Sequence, residues 1–200
     1  MQKMQRKYIT LMSLYTQYQS EIKSKLASEL GIKNVMVVPK LVKIVINTGL
    51  GEALVNKKVI EEATKQFATI SGQRPVVTHA RHDISSFKVR RGDAIGLKVT
   101  LRKKMMYDFF EKLVKIVLPR LRDFRGVKES GFDGKGNYTL GLAEQIVFSE
   151  IDYSEIDKTR GLEITFVTTA KDNNQTKKLL EMLGLPFTRS NRDQGKPSKK

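Results

Sequence analysis

Apolar residues along this chain recur at two spacings, and the spacings divide it into helices and strands. Leu11, Leu14, Tyr15, Tyr18, Ile22, Leu26 and Leu30 recur at three- and four-residue steps. That spacing predicts an amphipathic helix, which Gly31 is placed to end. Val59, Ile60, Ala63, Phe67 and Ile70 repeat the pattern ahead of Gly72. Met105, Met106, Phe109, Phe110, Leu113, Val114, Val117 and Leu118 form the most apolar helix, with Pro119 marking a kink or new start. A last helix is predicted over roughly Asn174 to Leu183, closed by Gly184 and Pro186.

Alternation at period two marks the strands. In Leu41 to Thr48, Val42, Ile44 and Ile46 share one face, and Lys43, Val45 and Asn47 share the other. Leu97 to Arg102 alternates likewise, turning Leu97, Val99 and Leu101 inward and Lys98, Thr100 and Arg102 outward. Phe87-Lys88-Val89-Arg90 reads as a strand with Phe87 and Val89 inward, and Leu162 to Thr169 as one with Leu162, Ile164 and Phe166 inward. Pro75 to Thr78, Tyr138 to Leu140 and Gln145 to Phe148 are shorter candidates.

Helices and strands mix without a regular βα alternation, so the expected fold class is α+β. The expected architecture is a single mainly antiparallel sheet with its helices packed on one face. Residues 1–187 read as one domain and residues 188–200 as a flexible basic tail. If the helices cover the apolar face, Lys43, Asn47, Lys98, Thr100, Arg102, Thr165 and Thr169 lie on the open one.

Charge changes the picture from fold to partner. The net charge is +16 and the sequence pI about 10.0, a balance that speaks of a polyanion. Residues 1–7 and the tail carry +3 and +4, which leaves +9 on the body. The densest stretch is Ser71 to Lys104, with nine Lys or Arg against Asp83 and Asp93. Its expected form is a protruding basic β-hairpin, with Arg91-Gly92-Asp93-Ala94-Ile95-Gly96 between two strands. No apolar run approaches a membrane span. No cysteine is present, which removes disulfides, thiolate zinc sites and cysteine nucleophiles together. The N-terminal residues show no secretory signal pattern.

Candidate chemistry is sparse. His79 and His82 stand three apart but are the only histidines, and a metal site would need carboxylates amid arginines. Gly134-Lys135-Gly136-Asn137 lacks the spacing of a nucleotide-phosphate loop. Its glycines, with Gly126 and Gly131, instead suit unusual backbone angles in an ordered loop. Asp152, Glu155 and Asp157 are followed at once by Lys158 and Arg160, as in a solvated acidic turn. No enzyme, cofactor or metal is expected.

Several blocks carry a family resemblance: VPKLVKIVINTGLGEA, SGQRPVVTHAR with FKVRRG and IGLKVTLR, LPRLRDFRGV with FDGKGNYTLG, and FSEIDYSEIDKTRGLEITFVTTA. In collinear order over roughly Ser20 to Phe187, they resemble large-subunit ribosomal protein five of the bacterial and organellar branch, the 5S rRNA binder. The resemblance implies an α+β, non-enzymatic constituent of the large ribosomal subunit that docks 5S rRNA in the central protuberance. By position it implies 5S rRNA contacts at Asn47, Thr48 and Gly49, at Gln73 and Arg74, and at Thr100 and Arg102. Lys43 and Lys98 join them on the proposed face, and Gly49 and Gly51 let phosphates approach backbone amides. Arg90, Arg91, Gly92, Asp93, Ala94 and Ile95 correspond to a hairpin tip extended toward P-site tRNA. The resemblance further implies 23S rRNA, neighbouring central-protuberance proteins and a small-subunit head protein as partners, on a cytoplasmic ribosome. His79-Ala80-Arg81-His82-Asp83 departs from the family's usual Lys-Ala-Arg-Lys-Ser, and Ser85-Ser86 and Ser149 replace Ala-Gly and a proline. A basic protein of the anionic membrane surface is the alternative; it calls for a long basic amphipathic helix, whereas the charge here gathers near strands.

Overall fold

The computed structural model describes residues 13–122, 124–151 and 157–188. The basic tail from residue 189 onward, the first twelve residues, and Asp152 and Glu155 lie outside the described residues. The fold class is α+β, as the alternation predicts. Its centre is β1 (Leu41–Gly49), flanked by β3 (Ala94–Leu101) and β5 (Leu162–Thr168), with β2 (Val76–His79) and β4 (Tyr138–Leu142) at the edges. The order β2-β3-β1-β5-β4 is antiparallel at every pairing.

One face of that sheet is sealed. Ile44 and Ile46 of β1, Leu97, Val99 and Leu101 of β3, and Ile164 and Phe166 of β5 are all buried. Against them pack α2 (Lys58–Ser71) and α3 (Lys103–Lys112, continuing through Leu113–Val117 and Leu118–Arg120). Phe110 of α3 meets Phe166 edge-on at 5.4 Å. Helix α1 (Leu14–Gln17, Tyr18–Ile22, Lys23–Glu29) and helix α4 (Asn173–Met182) complete the layer. Each buried aliphatic or aromatic side chain contributes roughly 1.5–3 kcal/mol. A cross-strand pair on the solvent face contributes only about 0.2–1 kcal/mol. The core therefore sets the register, and the open face takes what the register leaves.

Two expected strands do not form. Gln145–Val147 is a 3₁₀ turn held by Gln145, whose buried amide donates to the Lys158 carbonyl at 2.8 Å. Ser85–Phe87 is also a 3₁₀ turn, and Phe87 is 72% exposed rather than inward. The hairpin of the basic stretch is β2 with β3. The alternation at 87–90 has no neighbouring strand to pair with, and a two-residue period without a partner is no strand.

The glycine-rich loop before β4 is ordered from within. Gly136 adopts φ +81°, and its carbonyl accepts from Thr168 Oγ1 at 2.6 Å and Thr176 Oγ1 at 2.9 Å. A Cβ there would collide with the Ala170 carbonyl. Gly136→Ala combines overpacking with a left-handed backbone and is expected to cost about 2–4 kcal/mol in urea unfolding. A loss below about 0.5 kcal/mol would mean that the turn simply moves aside.

Candidate nucleic-acid interface

The residues opposite the core face line up in rows across the strands. Register places Lys98 of β3, Asn47 of β1 and Glu163 of β5 side by side, with Val76 of β2 next to Lys98. The adjoining row is Thr100, Val45, Thr165 and Thr139, the last two hydroxyls 3.2 Å apart. Lys43 lies one row on, opposite Val167. Arg102 follows β3 with an extended backbone and an exposed side chain, continuing the parity of Lys98 and Thr100. So Lys43, Asn47, Lys98, Thr100 and Arg102 do gather on one face, and no described helix covers it.

Asn47 has a side-chain partner across the sheet. Its Nδ2 donates to Glu163 Oε2 at 3.1 Å, which leaves the amide oxygen and the second N–H for a ligand. Glu163 is absent from the sequence-derived set, because the β1–β5 register that pairs it with Asn47 is not written in either strand. Its carboxylate divides the face. Phosphate is favoured over β3 and β1, where Lys98, Arg102 and Lys43 stand, and disfavoured over β5 beside Glu163.

Gln73 and Arg74 are exposed in the connection from α2 to β2. Buried Ser71 shapes that turn: its hydroxyl donates to the Phe67 carbonyl at 2.6 Å or the Gln73 carbonyl at 2.8 Å. It also accepts from the Gln73 N–H at 3.3 Å. Gly49 and Gly51 both sit in open space, with nothing within 4 Å of where a Cβ would be. Packing does not require glycine at either, and the bare backbone is approachable.

Thr48 is different. It shares parity with Ile44 and Ile46, is 3% exposed, and donates its hydroxyl to the Gly161 carbonyl at 2.7 Å. Its side chain belongs to the core face and is not available to a ligand on the open one. Thr169 lies just beyond β5, where its hydroxyl accepts from the Lys40 N–H at 3.1 Å.

The β2–β3 connection also corrects the expected tip. Ala94 and Ile95 are part of β3 rather than of a loop. Arg90 to Asp93 form a tight turn, in which Asp93 accepts from the Arg90 N–H at 2.7 Å and Gly92 takes φ +93°. Asp83 accepts from the Arg91 N–H at 2.7 Å, and Ile84 bridges Val89. Phe87 and Lys88 therefore lie at the far end of this connection, and Lys88 is left-handed at φ +54°. His79 holds the base of the loop, with Nδ1 2.9 Å from the Gly92 carbonyl oxygen.

The Gly134-Lys135-Gly136-Asn137 loop spends its donors internally. Asp133 accepts from the N–H of Lys135 at 2.8 Å, from that of Asn137 at 3.0 Å, and from Asn137 Nδ2 at 2.6 Å. These amides are not left to cradle a phosphate. No described cluster of His, Cys, Asp or Glu could hold a metal ion. No described helix is long and apolar enough to cross a membrane.

Residues 34–90 match the family described as ribosomal protein L5, and residues 94–187 match the C-terminus of that ribosomal family. The proteins named large ribosomal subunit protein uL5 are similar over most of the chain. That of Carboxydothermus hydrogenoformans is 53% identical over 176 residues, 88% of this chain and 98% of the relative. That of Dichelobacter nodosus is 55% identical over 170 residues, 85% and 95% of the two chains. That of Roseiflexus castenholzii is 55% identical over 174 residues, 87% and 97%. These likenesses define a structural, non-enzymatic ribosomal protein, and the open sheet face is where its strands carry their cations. The chain belongs to the ribosomal protein L5 family, uL5.

Asp133 supplies a pH test of the loop. The Asn137 side-chain amide, then the backbone N–H groups of Asn137 and Lys135, hold its carboxyl below the usual aspartate value. A lowered folded pKa contributes stability that is present above the unfolded value of about 3.9 and lost as pH falls through the folded one. The backbone amide shifts of Lys135 and Asn137 are expected to titrate with a midpoint below that value. A midpoint at or above it would show that these bonds do not order the loop.

Proposed function

We propose that this chain, a structural constituent of the large ribosomal subunit, binds 5S rRNA and docks it in the central protuberance. The observation that carries the reading is the open face. Lys43, Lys98 and Arg102 surround the oriented donors and acceptors of Asn47 and Thr100, with Gln73 and Arg74 at the β2 edge. Cations of this kind attract a folded RNA, and fixed polar groups choose among RNAs. Gly49 and Gly51 let the sugar-phosphate chain come close to the backbone. The same protein is expected to touch 23S rRNA, P-site tRNA through the β2–β3 connection, neighbouring central-protuberance proteins and a small-subunit head protein. It acts in the cytoplasm, on the ribosome.

Salt separates the two contributions. Neutralised phosphates release counterions, so affinity falls linearly with salt on logarithmic axes. An oriented hydrogen bond to a charged group contributes roughly 1.5–3 kcal/mol. Asn47→Ala is expected to lower 5S rRNA affinity about tenfold or more at every salt concentration and leave the slope unchanged. Lys98→Ala is expected to flatten the slope by about one unit. Equal competition by an unrelated folded RNA of the same length would refute selective recognition.

Glu163 gives a sharper check on orientation. Glu163→Gln keeps an acceptor for Asn47 Nδ2, whereas Glu163→Ala removes it. The alanine variant is expected to lose several-fold in 5S rRNA affinity despite becoming more basic, and the glutamine variant to hold wild-type affinity or exceed it. Tighter selective binding by Glu163→Ala would mean that Glu163 acts only by repulsion.

A further inference from the structure

Where β1 begins and β3 turns into α3, a groove of about 770 Å³ opens beside the sheet. Apolar side chains stand bare in it: Met36 is 85% exposed, Val35 53% and Tyr15 40%. Its rim is Lys23, Lys40, Lys103 and Lys104, with no acidic residue in the lining. None of these four lysines forms an ion pair with a described residue.

The surface is held in place rather than loosely displayed. Asn34 turns the connection before β1: its side-chain oxygen accepts from the Met36 N–H at 2.9 Å and its carbonyl from the Val37 N–H at 3.0 Å. At the other end of the connection, buried Tyr18 donates its hydroxyl to the Pro39 carbonyl at 2.9 Å. The Tyr15 ring is backed by Tyr107 at 5.3 Å. Lys103 is left-handed at φ +52°, one of two non-glycine residues with positive φ among those described. L-residues avoid that conformation, and it holds Lys103 in one backbone geometry at the cationic rim.

The groove is lined from α1, α3 and Val42 on the helical side of the sheet, and Arg102 immediately precedes Lys103 of its rim, so it lies next to the end of the proposed RNA face. A ligand for it must offer an apolar face and carry negative charge close to that face. An unstacked nucleotide does both, through its base and its flanking phosphates.

We propose that this groove takes one unstacked nucleotide of the 5S rRNA bound on the sheet. Its base lies against Met36 and Tyr15, and the flanking phosphates meet the lysine rim. The inference rests on the 5S rRNA reading above and adds a base-holding site to it. Stacking is an apolar contribution and the rim an ionic one, so they separate in a salt titration.

The test uses the full chain with intact 5S rRNA. Met36→Ser, at a position that packs little, is expected to weaken binding at least fivefold with the salt slope unchanged. Lys103→Ala with Lys104→Ala is expected to flatten the slope by one to two units. 5S rRNA carrying 4-thiouridine is expected to crosslink to Tyr15, and the circular dichroism of each variant to match that of the parent.

Wild-type affinity in Met36→Ser, with no crosslink to Tyr15, would overturn the groove while leaving the sheet reading intact. Failure of the parent itself to select 5S rRNA would instead remove the reading on which the groove rests. Loss in Met36→Ser of binding to anionic phosphatidylserine vesicles, or to a purified ribosomal protein, with 5S affinity unchanged, would also overturn the proposal. It would assign the groove to a membrane or a protein.

Discussion

Every proposed contact on the sheet inherits its position from the packing of β1 between β3 and β5, over the phenylalanines of the helical layer. Ile44, Ile46, Val99, Ile164 and Phe166 are each no more than 1% exposed. Slipping any of these strands by one residue would bring its polar set into the core and carry its apolar set into solvent. That penalty far exceeds anything the open face could return. Lys98, Asn47 and Glu163 stand in one row because the opposite side of the sheet allows no other arrangement.

The consequence is a face whose polar groups are preset. In the proposed complex Asn47 meets the RNA with one amide hydrogen already committed to Glu163, and Gln73 sits on a turn shaped by buried Ser71. Pre-ordering of this kind reduces the entropy lost on binding, which is where a small set of hydrogen bonds can gain selectivity. The cations work differently. Lys43, Lys98 and Arg102 are long side chains at the surface, and their contribution is attraction that salt screens. A basic sheet with only cations would hold many RNAs equally. A central acid and fixed amides give the same surface a means to choose.

Much of this was legible in the chain itself. Alternation in Leu41 to Thr48 and in Leu97 to Arg102 sorted Lys43, Asn47, Lys98 and Thr100 onto one side, and the structure places them there. Extended by one residue, the same rule puts Thr48 with Ile44 and Ile46. Family resemblance named Thr48 as a contact, yet parity placed its side chain inward, and parity is what the fold obeys. Phe87 to Arg90 misled for the opposite reason, since alternation without a hydrogen-bonding partner is only a pattern. Asp83 and Asp93, which in sequence only oppose the charge of the basic stretch, capture backbone amides and fold that segment into turns. Glu163 and the Met36 groove were out of reach. One depends on strand register, and the other is assembled from α1, the segment before β1 and the start of α3.

The chain has no cysteine, so single-cysteine variants carrying a tethered hydroxyl-radical source report position without ambiguity. Val76 is 63% exposed in the row beside Lys98, and Ile116 is 44% exposed on the helical layer. With 5S rRNA bound, a probe at Val76→Cys is expected to cut the RNA in a compact cluster of nucleotides, and one at Ile116→Cys to leave it uncut. Strong cleavage from Ile116 with none from Val76 would place the RNA on the helices and contradict the assignment of the open sheet face.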